Sequence, residues 1–297
     1  MEIQLRQGKL TAKAETLGGE LVSLRGAREY IWNGDPAWWT GRNPLLFPIV
    51  GSLKEGTVRF DGRPYAMGRH GFARKSEFVP AETGEDYVVF QLTEDAETLA
   101  QYPYPFRLLV RHQLLPDGFS TAFTVENTGE TPMPCCIGAH TAFRCPLAEG
   151  ERFEDYQLVF DKPETADSLL LTPEGTLRRG EVRRFLTEET VLPLNYEDFA
   201  RQDTIIFDGL VSDGVKLVSR KTGLGVHMDF AGFPMAAFWT KPGAPYICLE
   251  PWQGCAAFED ESGEFRDKPH CMILEPGEKR SLRYRVTLLE KSDGGIL

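Results

Sequence analysis

Apolar and polar residues alternate over short runs along this chain, and turn residues separate the runs. The stretch Leu282-Arg283-Tyr284-Arg285-Val286-Thr287-Leu288 alternates throughout and follows Glu275-Pro276-Gly277-Glu278. Period-two alternation behind a Pro-Gly turn predicts a half-buried β-strand. Phe119 to Val125 repeats the pattern after Pro116-Asp117-Gly118, with Phe119, Phe123 and Val125 on one face. Phe106 to Leu114, Tyr87 to Leu92, Val215 to Ser219, Val226 to Phe230 and Ala236 to Thr240 are further strands on the same grounds. Asp61-Gly62, Asn127-Thr128-Gly129 and Ser212-Asp213-Gly214 supply turns between them. Helical character is confined to Glu94 to Gln101, ended by Pro103, and to Glu197 to Arg201.

Many short strands with regular turns predict an all-β fold, a sandwich or barrel. No strand–helix rhythm argues for a doubly wound parallel sheet. No Pro/Ser-rich linker or internal repeat divides the chain, so residues 1–297 are expected to form a single domain. The segment after Leu289, ending Ser292-Asp293-Gly294-Gly295, is expected to fray.

Composition adds mainly exclusions. Apolar content of 41% and charged content of 26% are those of an ordinary globular protein. A net charge of -11 disfavours nucleic acid and anionic membranes as partners, because both repel an acidic surface. The N-terminal Met1-Glu2-Ile3-Gln4-Leu5-Arg6 lacks the basic start and long apolar run of a signal peptide. No window approaches the roughly 20 apolar residues of a membrane helix. The six cysteines (135, 136, 145, 248, 255, 271) form no C-x-x-C pair, and reduced, mostly buried thiols in a cytoplasmic protein are expected.

Several chemistries lack their signatures. There is no G-x-x-x-x-G-K-[ST] phosphate cradle, no G-x-S-x-G elbow and no EF-hand loop. Gly223-Leu224-Gly225 begins like a dinucleotide fingerprint, but Met228 stands at the third glycine's place, and a hairpin turn is the better reading. Among the five histidines no pair has metal-ligand spacing, so no metal site is expected.

A carboxylate in Tyr246-Ile247-Cys248-Leu249-Glu250-Pro251-Trp252-Gln253-Gly254 ends an apolar run and precedes proline. A residue before proline is held extended, which places Glu250 at the end of a strand. Apolar neighbours raise a carboxyl's pKa toward the range a general base needs. His70, in Gly68-Arg69-His70-Gly71-Phe72-Ala73-Arg74, and His140, in Ile137-Gly138-Ala139-His140-Thr141-Ala142-Phe143-Arg144-Cys145-Pro146, are histidines in glycine- and aromatic-rich surroundings. Such a group titrates near neutrality and suits proton transfer. Arg42 lies between Trp38-Trp39 and Asn43-Pro44-Leu45-Leu46-Phe47-Pro48, where its fork can reach into a cleft. Asp203 immediately precedes the run Thr204 to Phe207; Asp208, at the far end of that run beside Gly209, competes with it.

The order of these motifs resembles the aldose 1-epimerase (galactose mutarotase-like) family, in its LacX-type branch. The matching segments are Arg42 to Gly51, His70 to Arg74, Tyr104-Pro105-Phe106, Gly138 to Pro146, Asp203 to Phe207 and Cys248 to Gly254. The resemblance runs from about Gly19 to Leu288. It implies a β-supersandwich with a sugar cleft across a concave sheet. It implies that Glu250 is the general base and His140 the general acid, and that Arg42, His70 and Asp203 bind sugar hydroxyls. One position departs from the pattern. Thr141 follows the histidine where the family usually has proline, which either loosens the turn or sets a hydroxyl near His140.

Anomer interconversion by such a pair needs two proton transfers and no redox step, so the resemblance implies no cofactor. The implied partner is a small-molecule sugar, with no nucleic acid or membrane, and with a monomer or homodimer as the assembly. Trp38, Trp39, Phe72 and Trp252 are candidates to stack on a sugar face. Two alternatives accompany this expectation. One is a carbohydrate-binding or sensing protein on the same fold. The other is a mutarotase of phosphorylated sugars, for which Arg69, Arg74 and Arg144 are the candidate cations.

Overall fold

The computed structural model describes residues 1–290, and the expectation of a frayed end falls mostly outside them. The fold is predominantly antiparallel β. A sheet of 15 strands holds most of the strands among the described residues. Its path begins at Leu45–Leu46 and runs through Ile137–Ala139, Tyr246–Gln253, Met235–Trp239, Thr204–Asp208 and Tyr156–Leu171. It continues through Gly214–Ser219, Gly225–Asp229, Lys279–Leu289, Gly118–Asn127, Phe106–Leu115 and Tyr87–Thr93 to Val79–Thr83.

A twisted sheet this wide curls and packs on itself. Residues near its first strand accordingly meet residues near its last. The rings of Phe47 and Phe106 lie 5.2 Å apart, and Tyr284 bonds Asn43 across 3.3 Å. The core between the halves is aromatic and branched aliphatic, with Phe47, Phe90, Phe106, Phe119, Phe143 and Phe160 fully buried.

The strands expected from alternation are present. Lys279–Leu289 pairs Gly118–Asn127, which pairs Phe106–Leu115 in turn. Gly223 closes the hairpin between Gly214–Ser219 and Gly225–Asp229 in a left-handed conformation that glycine adopts without cost. The first helix is shorter than expected, Ala96–Leu99, capped by Asp95; the second is Tyr196–Gln202. Among the described residues, no helix is long and apolar enough to cross a membrane. Five of the six cysteines are buried and Cys271 is half-buried.

Two features position the site. Tyr246–Gln253 is buried along nearly its whole length, flanked by Met235–Trp239 on one side and by Ile137–Ala139 and Thr141–Arg144 on the other. Gly138 faces Trp252 and Thr141 faces Leu249. The same register, carried across the gap, sets His140 directly opposite Glu250 and Ala139 opposite Pro251. Proline offers no N–H to the ladder, so the pairing breaks there.

The second feature is the anchor behind that break. Thr141 is fully buried, and its hydroxyl donates to Asn43 Oδ1 at 2.7 Å, with Tyr284 Oη 3.3 Å away. The Thr141 hydroxyl therefore ties the turn to the core on the side away from His140. Thr141→Val keeps the volume but removes that donor. It is expected to destabilise the chain by about 0.5–1.5 kcal/mol, the net worth of one hydrogen bond, because Tyr284 still donates to Asn43 Oδ1, while Thr141→Ser costs less. Urea unfolding midpoints measure the difference.

Candidate active site

Strand register explains the closest contact of the site. Residues directly opposite on adjacent antiparallel strands bring their side chains together. His140 Nε2 lies 3.3 Å from Glu250 Oε1. The Glu250 side chain is 1% exposed and that of His140 is 10% exposed. The contact is not aligned as a hydrogen bond: both Glu250 oxygens, His140 Nδ1 and the Trp252 indole N–H lack hydrogen-bond partners. A buried carboxyl without donors is held there at a cost. The walls around His140 are aromatic. Trp39 lies 4.9 Å away between centroids, Trp239 5.6 Å, and His70 5.8 Å in an edge-on arrangement.

Burial sets the protonation of the pair. It pushes Glu250 well above the ordinary carboxyl value, against the charge of Arg69 and the nearby Trp252 indole, which act to lower it. It pushes His140 down to about 3, with Arg69 adding to the effect. Both shifts favour the neutral form of each group over its charged form.

His70 reaches the same cleft from a loop. Its backbone is left-handed, at φ 65°, and Gly71 follows at φ 72° against the Phe47 carbonyl, where a Cβ would lie only 2.1 Å from that oxygen. The loop is pinned twice to Gly51. The His70 N–H donates to the Gly51 carbonyl, and the Gly51 N–H donates to His70 Nδ1 at 3.0 Å. Burial holds His70 well below its ordinary pKa, so the ring is neutral. A neutral imidazole has one N–H, and with Nδ1 accepting, that hydrogen is on Nε2. The 3.3 Å approach of Arg69 Nε to Nε2 consequently joins two donors rather than a donor and an acceptor.

Asp203 caps the Tyr196–Gln202 helix and also takes a left-handed conformation, at φ 64°. A non-glycine residue held there stores strain, as residues at functional sites often do. Its Oδ2 accepts from the Thr204 hydroxyl at 2.8 Å, and its Oδ1 accepts from the Trp239 indole at 3.3 Å.

Glu250, His140, His70 and Asp203 line one cleft of about 210 Å³. This is below the roughly 300–1,000 Å³ of pockets for drug-sized ligands, and it suits a ligand of one ring. Trp39, Trp239 and Trp252 add apolar walls, and Arg69, Arg74 and Lys241 stand among its lining residues. Trp239 and Lys241 were not singled out by sequence; Trp239 read only as part of a strand. Asp208 is excluded by position. It lies at the other end of its strand and accepts from His270 Nε2 at 2.9 Å.

Arg42 does not reach the cleft. Its Nε donates to the Asn33 carbonyl at 3.1 Å, its Nη1 lies 3.8 Å from Glu15, and it lines a separate surface depression with Arg144. Its backbone carbonyl accepts from the Ala142 N–H, which fixes the chain beside His140 but turns the side chain outward. Arg144 is likewise absent from the cleft. Trp38 packs nearby, and Phe72 belongs to the core.

A family model described as aldose 1-epimerase matches residues 1–287. The chain is 40% identical to the chromosomal LacX protein of Lactococcus lactis subsp. lactis over 299 residues, covering 97% of this chain and 100% of that one. Among solved structures, it resembles a galactose mutarotase related enzyme from Lactobacillus acidophilus, with a TM-score of 0.92 and 26% identity over 100% of both chains. It also resembles a galactose mutarotase-like protein from Lactobacillus casei, with a TM-score of 0.90 and 27% identity, over 97% of this chain and 100% of that one.

The buried carboxyl carries a stability prediction. A carboxyl whose folded pKa is raised contributes its full stability below the unfolded value, and that contribution falls as pH rises toward the folded value. The ordinary value for a glutamate carboxyl is 4.5, so ionising Glu250 above that pH opposes folding. Glu250→Gln is therefore expected to raise the melting temperature at pH 8 and to lose this advantage below about pH 4.5. Scanning calorimetry at the two pH values reads the difference.

Proposed function

Because the chain belongs to the aldose 1-epimerase family, we propose that it is a mutarotase that interconverts the α and β anomers of an aldose by proton transfer at Glu250 and His140. The observation that carries this reading is the 3.3 Å juxtaposition of a buried carboxyl and a buried imidazole in a cleft the size of one ring.

Glu250 takes the proton of the anomeric hydroxyl as His140 gives one to the ring oxygen. The C1–O5 bond breaks, and C1 becomes an aldehyde carbon. Rotation about C1–C2 presents the other face of that carbonyl. Ring closure runs the transfers backwards: O5 attacks C1, His140 recovers its proton, and Glu250 returns one to O1. The two groups together hold one transferable proton before and after, so the cycle consumes no outside acid or base. Ring opening ends with the proton on Glu250, the distribution that burial favours. Hydroxyls of a bound sugar supply the donors that both Glu250 oxygens lack, which favours the ionised carboxylate from which ring opening starts.

Asp203 and His70 flank the pair with one acceptor and one donor, and in this reading they orient sugar hydroxyls. Arg42 keeps no such role here, because its guanidinium is engaged outside the cleft. The tryptophans offer flat apolar faces for the C–H side of the ring.

Glu250→Gln and His140→Ala are each expected to lower catalysed exchange by about 10²–10⁴, the usual worth of a positioned proton transfer. Anomer-resolved NMR on freshly dissolved α-aldoses measures it. Full activity in either variant removes that residue from the reaction; saturable binding without exchange in the unaltered protein instead identifies a sugar-binding module.

The pH profile offers a separate check. Losing the second proton's vacancy at His140 requires acid near its depressed value of about 3. The profile of kcat/KM is therefore expected to show no acid limb at the ordinary histidine value of 6.5, and to remain level from neutrality down to the pH at which the fold fails.

A further inference from the structure

The strand that carries Glu250 brings a thiol to the same place. Cys248 lies two residues earlier, so its side chain leaves the same face of the strand. It stands opposite Ala142 on one neighbouring strand and opposite Trp239 on the other. Glu250 stands opposite Ala237. The methyl groups of Ala142 and Ala237 fill little of that face, which leaves the thiol, the carboxyl and the His140 ring beside one another. A ring nitrogen of His140, the Cys248 sulfur and a Glu250 oxygen all lie within 4.8 Å of one another. Spacing between histidines gives no sign of this set, because it holds only one histidine and its members come from two strands.

All three residues are buried, and both Glu250 oxygens and His140 Nδ1 lack hydrogen-bond partners. A thiolate beside a carboxylate in such a place needs compensating positive charge. One divalent cation balances both negative charges, with the imidazole as a neutral third ligand. The donor set selects the ion. Sulfur, nitrogen and oxygen together suit borderline-soft zinc, whereas magnesium and calcium take oxygen. The dimensions agree. Nitrogen and oxygen ligands at about 2.0 Å and sulfur at about 2.3 Å around a tetrahedral zinc ion stand roughly 3.3–3.5 Å apart. His140 Nε2 and Glu250 Oε1 are already 3.3 Å apart. A sulfur shift of about 1 Å completes the set. Glu250 and His140 line the cleft, so an ion reaches them from that side.

We propose that Cys248, Glu250 and His140 form a zinc site at the base of the cleft, with the fourth position open to water or a sugar hydroxyl. Binding releases the thiol proton and the carboxyl proton to solvent, and the two positive charges of the ion cancel those of its two anionic ligands. The ion acts as an inhibitor, a role that rests on the mutarotase reading above. It occupies the oxygen and the nitrogen through which Glu250 and His140 move protons.

Cobalt(II), a spectroscopic substitute for zinc, tests the site on the metal-free full chain. One equivalent is expected to bind, with a thiolate-to-cobalt charge-transfer band and the intense visible bands of a four-coordinate ion. Zinc is expected to displace it and magnesium to leave it in place. Cys248→Ala is expected to abolish the charge-transfer band. It is also expected to weaken zinc binding, read by calorimetry, by more than the roughly 10- to 100-fold that losing an outer-shell partner costs. Cys271→Ala, which removes the half-buried thiol, keeps the band. A band that survives in Cys248→Ala, or that vanishes in Cys271→Ala, overturns the proposal. So does a spectrum of the unaltered protein without thiolate character, a result that stands even if Cys248→Ala fails to fold. Anomer-resolved NMR reads the inhibition. Zinc is expected to suppress exchange and EDTA to restore it; full exchange with zinc bound overturns the proposal. If the metal-free protein exchanges no sugar, the mutarotase reading fails, and the cobalt spectrum decides the zinc site by itself.

Discussion

A carboxyl group and an imidazole, opposite each other on neighbouring strands and shut away from water, set the terms for this molecule. Either group charged alone in that place is unfavourable, and the two oxygens of Glu250 have no donor to ease it. The pair therefore settles on its neutral form, with one proton between two sites. That same proton is the only reagent an anomer exchange needs. The burial that opposes ionisation also keeps solvent from deciding where the proton goes.

The rest of the fold can be understood as the means of holding that pair. The strand carrying Glu250 is flanked on both sides, so its backbone is paired along both edges. Pro251 interrupts the ladder opposite Ala139, and the break gives His140 room to turn inward. Thr141, one residue on, fastens the interruption to Asn43 and Tyr284 in the core. Around this fixed pair, two residues in left-handed conformations, His70 and Asp203, bring the remaining polar groups to the cleft. Gly51 pins one loop, and a helix end delivers the other.

Much of this was legible in the sequence. Alternation located the strands in the second half of the large sheet because one face there is solvated. Glu2–Gln7 and Leu10–Glu15 also alternate, with their charges on one face, yet were not singled out; Glu20–Arg25 and the long hairpin of Tyr156–Leu171 with Leu177–Pro193 carry charges on both faces, which hides the alternation. Glu250, His140, His70 and Asp203 carried readable signals in their proline, glycine and strand-start flanks. Arg42 misled because a long side chain can leave the backbone toward either side, and only the surrounding carbonyls and Glu15 decide which. Arg69 and Arg74 were visible as cations near a candidate histidine, but so was Arg144, and convergence on one cleft is a property of the folded chain. Trp239 carried no signal of its own; its place beside Asp203 follows from strand pairing.

The central claim is that Glu250 and His140 hold one proton between them in the free protein, with the carboxyl protonated and the imidazole neutral at pH 7. Isotope-edited NMR of the side-chain ¹³C of Glu250 and the ring ¹⁵N of His140, followed across pH, reads this directly. The account predicts a protonated carboxyl and a neutral ring at neutrality, with no histidine titration near 6.5. A carboxylate facing an imidazolium at pH 7, or two independent titrations near 4.5 and 6.5, would contradict it.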